Sequence, residues 1–151
     1  MKPGAAPTQP APMVVYLTRH AEKTSGPDPE LSERGMLRAR NIATMLRRAG
    51  IAHIYATPFR RARQTADALA TRVALPVQSY EPGTQAAFAR QLLALGGNVL
   101  VVGHTDTLPD LIRLLGGEPG MPFLETDFDR VYQLVIATDG QVTTTLLASL
   151  P

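Results

Sequence analysis

Apolar and polar residues form two kinds of segment along the chain. Short apolar runs rich in valine, isoleucine and leucine are typical of buried strands in a parallel sheet. Longer segments with apolar residues three and four positions apart predict amphipathic helices. The predicted strands are 13–18, 53–57, 77–80, 98–102, 131–137 and 142–147. The predicted helices are 32–49, in which Ser32 is the N-cap, 58–72, 84–95 and 108–115.

The order of these elements indicates a fold class. Strands alternate with helices up to residue 115, which is typical of a mainly parallel sheet covered by helices on both faces. The last two strands, joined across Asp139-Gly140, predict a hairpin and antiparallel pairing at one edge. We therefore predict a three-layer α/β/α sandwich formed by a single domain, residues 13–151. Residues 1–12 are rich in proline and alanine and are predicted to form a flexible N-terminal arm.

Composition narrows the functional classes. A chain of 151 residues with 44% hydrophobic and 19% charged residues is typical of one soluble globular domain. The absence of cysteine excludes disulfides, a thiolate nucleophile and cysteine zinc sites. No apolar run approaches the roughly 18 residues that span a membrane, so no membrane association is expected. The helical arginines, Arg34 and Arg38 among them, are predicted to form a solvated face. Because few aromatic residues accompany them, nucleic-acid binding is not expected.

Histidine and arginine residues follow three of the predicted strands. Arg19 and His20 come after the first strand, Arg61 comes shortly after the second, and His104 follows the strand at 98–102. The carboxyl ends of parallel strands meet at one edge of a sheet, where ligands bind. We therefore expect these four side chains to converge, although they are far apart in sequence.

The chemistry of the four side chains points to a phosphoryl group. Guanidinium groups packed together repel one another unless an anion neutralises them, and a phosphoryl group carries a charge of about −2 and several acceptor oxygens. Helices that begin after these loops would add backbone N–H groups that can bind the same anion. A neutral histidine can attack phosphorus with a ring nitrogen, and a second histidine, if protonated, stabilises charge in the transition state.

Four segments resemble motifs of a known family. Arg19-His20-Ala21-Glu22 is similar to Arg-His-Gly-Glu, and residues 31–35, Leu-Ser-Glu-Arg-Gly, are similar to Leu-Ser/Thr-x-x-Gly. Residues 56–66 resemble Ser-Ser-Pro-Leu-x-Arg-Ala-x-Gln-Thr-Ala, and residues 101–104 resemble the second histidine motif. In this order they are the motifs of the histidine phosphatase superfamily, also called phosphoglycerate-mutase-like. The chain resembles its small, single-domain branch over about two-thirds of its length, residues 14–115.

The resemblance implies roles for individual residues. His20 would be the nucleophile that becomes phosphorylated, and Arg19, Arg61 and His104 would complete the phosphate pocket. Arg61 rather than Arg60 occupies the family position, because it directly precedes Ala62 in the motif. Contacts with the substrate are also expected from Thr105, next to His104, and from Glu22, in the first motif.

The proton donor to the leaving group is left open by the sequence. Many members of the family have a glutamate between the arginine motif and the second histidine, and this chain offers only Glu81 there. Asp106, two residues after His104, is an equal candidate. Asp129 is a further rival, and Glu22 is a weaker one.

The functional expectation is a metal-independent, acid-type phosphatase that hydrolyses phosphomonoesters through a phosphohistidine on His20, with no metal and no organic cofactor. The alternatives are a phosphohistidine protein phosphatase and a non-catalytic phosphate-binding regulatory domain. A metal hydrolase using His20 and His104 is disfavoured, because the adjacent arginine would repel a dication. The expected partner is a small phosphorylated substrate or a phosphoprotein. A cytoplasmic location is expected by default, or a periplasmic or secreted one if a natural export signal has been removed.

Overall fold

A computed structural model describes residues 12–151, so the predicted N-terminal arm lies outside the described residues except for Pro12. The strands are β1 (Met13–Arg19), β2 (Ile51–Ala56), β3 (Val77–Ser79), β4 (Asn98–Gly103), β5 (Arg130–Ile136) and β6 (Val142–Ala148). The helices are α1 (Glu33–Leu46), α2 (Arg60–Val73), α3 (Gln85–Leu95) and α4 (Leu108–Leu114).

The six strands form one sheet in the order β3-β2-β4-β1-β5-β6. The pairs β1·β4, β2·β4 and β2·β3 are parallel. Strand β5 runs antiparallel to β1, and β6 pairs antiparallel with β5 as the predicted hairpin. The structure therefore confirms a mainly parallel sheet with an antiparallel edge. Strands β1, β4 and β2 are neighbours, so the residues that follow their carboxyl ends meet at one edge of the sheet.

Both faces of the sheet are buried under helices. Val15 and Leu17 of β1 belong to the core cluster that includes Phe88 of α3 and Leu111 of α4. Tyr16, between them, points to the opposite cluster, which includes apolar residues of α1 and α2. This alternation across a strand covered on both sides explains why β1 is apolar at nearly every position. The three-layer sandwich is confirmed.

Within residues 12–151, no helix combines the length and the apolarity that crossing a membrane requires.

Two predicted helix boundaries are wrong. Helix α2 begins at Arg60 rather than Pro58, because Phe59 has extended backbone angles (φ −78°, ψ 143°) and serves as the N-cap. Helix α1 ends at Leu46, three residues before the predicted end, and Gly50 turns the chain into β2 with a φ of 68° that favours glycine. Both differences concern the turns that connect a helix to the carboxyl or amino end of a strand.

The start of α1 supports the loop after β1. Ser32 accepts a hydrogen bond from the Gly35 N–H at 3.1 Å, as expected of an N-cap. The Ser32 N–H donates to the Glu22 carbonyl at 2.9 Å. A Cβ atom at Gly35 would overlap the same carbonyl oxygen, so glycine is required where the helix packs against this loop. The Leu-Ser-Glu-Arg-Gly segment thus fixes the backbone two residues beyond His20.

Candidate active site

The carboxyl ends of β1 and β4 place two histidines side by side. The His20 N–H donates to the carbonyl of Gly103, the last residue of β4, at 3.0 Å. His104 follows Gly103, and the centroids of the two imidazole rings lie 5.3 Å apart. Both side chains are buried, with exposed fractions of 4% for His20 and 8% for His104. The structure therefore brings together the two histidines that the sequence placed after separate strands.

One ring nitrogen of His20 is left with a free lone pair. Nδ1 lies 2.8 Å from the carbonyl oxygen of Ala21. A carbonyl can only accept a hydrogen bond, so Nδ1 carries the proton and Nε2 does not. Burial, with further contributions from His104, Arg19 and Arg61, lowers the pKa of His20 to about 3. At neutral pH the ring is neutral and Nε2 is available as a nucleophile.

His104 is held by a residue that follows β2. Its Nε2 lies 2.7 Å from the hydroxyl of Thr57, which is fully buried. Burial and then the charge of Arg61 lower the pKa of His104 to about 4. The ring is therefore neutral in the ligand-free pocket. A bound anion would favour the protonated form of His104, which can stabilise negative charge in the transition state.

Arg19 is buried and bound by neutral groups. Its Nη1 donates to the carbonyl oxygens of Glu125 at 2.8 Å and Asp127 at 3.1 Å. Its Cζ lies 3.9 Å from the centroid of the Phe128 ring, and its Nε is buried without a hydrogen-bond partner among residues 12–151. Positive charge thus reaches the pocket beside His20 on a guanidinium that forms no ion pair with a carboxylate among residues 12–151.

Arg61, in the first turn of α2, is the second cation of the pocket. Its Nε is buried and lacks a hydrogen-bond partner in the part of the chain that the structure describes. Its Cζ lies 4.8 Å from the centroid of the Phe59 ring. The centroids of the Phe59 and His104 rings are 5.3 Å apart, and the two rings are nearly perpendicular. Arg61 and His104 line one cavity of about 190 Å³, together with Phe59, Pro82, Asp106 and Thr107. Arg61 and Phe59 also line a neighbouring cavity of about 390 Å³, together with Lys23, Gly26, Asp28 and Pro29.

The Gln64-Thr65 pair of the arginine motif joins the loops around the pocket. The Thr65 hydroxyl accepts from the Ala21 N–H at 2.9 Å and donates to the Arg61 carbonyl at 2.8 Å. Gln64 Oε1 accepts from the Leu31 N–H at 2.7 Å. These bonds fix the main chain beside His20 relative to the first turn of α2, which carries Arg61.

Glu22, two residues after His20, forms an ion pair with Arg38 of α1. Both its carboxylate oxygens accept from Arg38, at 2.8 to 3.1 Å. Burial would raise the pKa of Glu22, but the hydrogen bonds from Arg38 hold it below its usual value. Arg38 is 5% exposed and also donates to Ser149, so the prediction that it belongs to a solvated face is wrong. A carboxylate facing α1 accounts for its burial.

The structure separates the candidates for the proton donor. Asp106 is exposed and lines the cavity that contains His104 and Arg61. Glu81 is exposed too, but its neighbour Pro82 is the residue that lines this cavity. Asp129 is exposed, and its carbonyl accepts from the Ser149 N–H. Thr105 is half-buried beside Asp106 and does not line the cavity.

Several residues of the site carry no sequence signal that predicts them. Phe128 and the carbonyls of Glu125 and Asp127 belong to a segment without a recognisable motif. Carbonyl contacts depend on backbone position and not on residue type, so no pattern of side chains reveals them. Thr57 ends a predicted strand and lies in the motif of residues 56–66, but neither signal indicates that its hydroxyl binds His104.

Among residues 12–151, no set of three or more histidine, aspartate and glutamate side chains is arranged to hold a metal ion.

The low pKa values predict loss of stability in mild acid. In the unfolded chain a histidine titrates near pH 6.5. In the folded chain the pKa is about 3 for His20 and about 4 for His104. Between these values and pH 6.5, the unfolded chain binds protons that the folded chain does not. The free energy of unfolding therefore decreases as the pH is lowered below about 6.5. We expect His20→Asn to remove about 1 kcal/mol of the loss in unfolding free energy between about pH 7.5 and 5.5. Urea unfolding at both pH values measures this difference, and an equal loss in both proteins would contradict it.

Comparisons with known proteins agree with the motifs and the fold. The model of the histidine phosphatase superfamily (branch 1) matches residues 15–82, which include three of the four motifs. Curated proteins give no match to this chain.

Among solved structures, the protein histidine phosphatase SixA, complexed with tungstate, is similar with a TM-score of 0.71 at 21% identity, over 90% of this chain and 97% of SixA. Phosphoserine phosphatase from Entamoeba histolytica has a TM-score of 0.65 at 18% identity, over 91% of this chain and 98% of that one. A mycobacterial glucosyl-3-phosphoglycerate phosphatase has a TM-score of 0.66 at 16% identity, over 92% and 100%. These similarities show a shared fold. The family model over residues 15–82 and the shared fold agree with the resemblance to the histidine phosphatase superfamily that the four motifs indicate.

Proposed function

We propose that this protein is a metal-independent phosphatase that hydrolyses phosphomonoesters through a phosphohistidine on His20. The observation that carries the proposal is the arrangement around His20. A neutral imidazole with a free Nε2 lies beside the guanidinium groups of buried Arg19 and half-buried Arg61, which form no ion pair with a carboxylate among residues 12–151.

The charge of the pocket favours a dianionic ligand. A buried charge is costly unless a partner of opposite sign compensates it. Among residues 12–151, the Arg19 guanidinium donates only to carbonyl oxygens and packs against the Phe128 ring. Arg61 packs against the Phe59 ring and lines two cavities. A phosphoryl group supplies both the negative charge and the acceptor oxygens that these guanidinium groups lack. It would also raise the pKa of His104, so that a protonated ring could donate to a phosphoryl oxygen.

In the first step, His20 Nε2 attacks the phosphorus atom. The N–P bond forms as the bond from phosphorus to the ester oxygen breaks, and the electron pair of that bond goes to the leaving oxygen. We assign the proton for this oxygen to Asp106 in its protonated form, because Asp106 lines the same cavity as His104. Arg19, Arg61 and His104 stabilise the negative charge on the equatorial oxygens.

In the second step, water attacks the phosphohistidine. The N–P bond breaks, its electron pair returns to Nε2, and Asp106 accepts a proton from the attacking water. Inorganic phosphate leaves and His20 is neutral again. Throughout, the hydrogen bond from Nδ1–H to the Ala21 carbonyl keeps the ring in one tautomer and stabilises the positive charge of the phosphorylated imidazole.

A phosphorylated protein side chain, with phosphohistidine as the main alternative, is the second candidate substrate. It is favoured by the similarity to the protein histidine phosphatase SixA, of which 97% is covered by this chain at a TM-score of 0.71. The same pocket and the same chemistry would serve both substrate classes. In a phosphomonoester the atom that His20 displaces from phosphorus is an oxygen, whereas in phosphohistidine it is a ring nitrogen.

The first test is hydrolysis of an aryl phosphate in excess EDTA. We expect wild-type activity to survive the chelator and His20→Ala to lower kcat/KM by a factor of about 10³ or more, because the covalent route is lost. His53→Ala is the matched control, since His53 lies on β2 with no place in the pocket, and it should keep full activity. Activity that is lost to EDTA, or that persists in His20→Ala, would contradict the proposal. A folded wild type that binds vanadate without turnover would point to the phosphate-binding regulatory domain.

The second test identifies the proton donor. A poor leaving group needs a proton, whereas nitrophenolate leaves without one. We expect Asp106→Asn to lower kcat/KM by a factor of about 10² for an alkyl phosphate and to change it little for nitrophenyl phosphate. Glu81→Gln is the control and should leave both rates nearly unchanged. The opposite pattern for the two variants would transfer the role to Glu81.

A further inference from the structure

The position of Arg19 depends on the segment between α4 and β5. We call residues 118–129 the strap. Within residues 12–151, the hydrogen bonds of the Arg19 guanidinium all go to strap carbonyls, those of Glu125 at 2.8 Å and Asp127 at 3.1 Å. The Phe128 ring packs on the same guanidinium at 3.9 Å. A change in the shape of the strap would therefore move or release Arg19.

Thr144 and Tyr132 bind the start of the strap, at Glu118 and Pro119, and the side chain of Arg130 binds its middle part, residues 121–127. Nη1 donates to the Met121 carbonyl at 2.6 Å, and Nη2 donates to the Pro122 carbonyl at 3.1 Å. Nη2 also donates to Asp127 Oδ2 at 3.1 Å, and the guanidinium lies 4.4 Å from the centroid of the Phe123 ring. With 14% of its side chain exposed, Arg130 binds four residues of the strap at once. Only the planar fork of arginine offers donors in this arrangement.

Asp127 connects the two arginines. Its Oδ2 accepts from Arg130 and from the Leu124 N–H at 2.7 Å, and its own N–H donates to the Leu124 carbonyl at 3.0 Å. These bonds close a turn over residues 124–127. The carbonyls that hold Arg19 are those of the second and fourth residues of this turn, so the carboxylate that Arg130 binds sets the direction of the oxygens that Arg19 binds.

Arg130 is itself fixed relative to β1. It is the first residue of β5, and its carbonyl accepts from the hydroxyl of Thr18, directly before Arg19, at 3.0 Å. The strap is thus held between the strand that carries Arg19 and the arginine that shapes the turn. Among residues 12–151, none of the hydrogen bonds of this network involves His20, His104 or Arg61, and the Phe128 ring, which packs on Arg19, also lies with its centroid 6.2 Å from that of the His20 ring.

We propose that Arg130, acting through Asp127 and the strap, is a positioning residue for the phosphoryl-binding Arg19. The proposal rests on the role given to Arg19 in the proposed function. In this arrangement Arg130 does not contact the substrate but determines the position of Arg19, which does. Loss of Arg130 should therefore weaken oxyanion binding only as long as Arg19 is present.

The test is a double-mutant cycle with orthovanadate as the oxyanion, measured by titration calorimetry. The four proteins are wild type, Arg130→Met, Arg19→Ala and the double variant. We expect Arg130→Met to raise the Kd about tenfold in the wild-type background and less than about twofold in the Arg19→Ala background. An equal increase in both backgrounds, as a general loss of stability would give, would overturn the proposal, and so would no increase in the wild-type background.

Arg113→Met is the matched control. Arg113 forms the same kind of i,i+3 ion pair with Asp110, also at 3.1 Å, but on the exposed surface of α4, and its loss should leave the Kd unchanged. If Arg130→Met does not fold, Asp127→Asn goes through the same cycle with the same expectation, because it removes the charge that Arg130 binds. Vanadate binding needs no turnover. A coupled cycle in a protein that hydrolyses nothing would contradict the proposed function alone, and an uncoupled cycle in an active enzyme would contradict this inference alone.

Discussion

Arg19 and Arg61 lie at the carboxyl edge of the sheet, and neither forms an ion pair with a carboxylate among residues 12–151; carbonyl oxygens bind Arg19, and an aromatic ring packs on each guanidinium. Neutral acceptors fix the direction of a guanidinium without cancelling its charge, whereas a carboxylate would do both. Burial, together with the positive charge that remains, lowers the pKa of His20 and His104. The pocket is therefore prepared for an anion, and its histidines are neutral until one arrives.

Two acidic residues near this edge are bound by arginines outside the pocket, Glu22 by Arg38 and Asp127 by Arg130. Asp28 accepts from the N–H of Arg60, the first residue of α2, and Asp106 lines the cavity itself. The two ion pairs stabilise loops beside the pocket while the charges of Glu22 and Asp127 are compensated outside it. The same ion pairs thus support the fold and keep the pocket cationic, which explains why an arginine as buried as Arg38 is present in α1.

The sequence was sufficient to predict the sheet, the layers and the convergence of His20, His104, Arg19 and Arg61. Apolar strands and helix spacing reflect burial on both faces, and parallel strands place their following residues at one edge. The burial of Arg38 was not predictable from its position on the helix, because its partner Glu22 lies in a loop whose path depends on tertiary packing. The strap was also beyond prediction. It contacts Arg19 through main-chain carbonyls, and these leave no pattern in the residue types.

Capture of the phosphoenzyme is the most direct measurement of the covalent phosphorylation that we propose for His20. Protein turning over a radiolabelled aryl phosphate would be quenched in alkali, in which phosphohistidine is stable, and digested for peptide mapping. We expect label on the peptide that contains His20, lost on brief treatment with acid and absent in His20→Ala. Label on another residue, or label that withstands acid and resists replacement of His20, would contradict it.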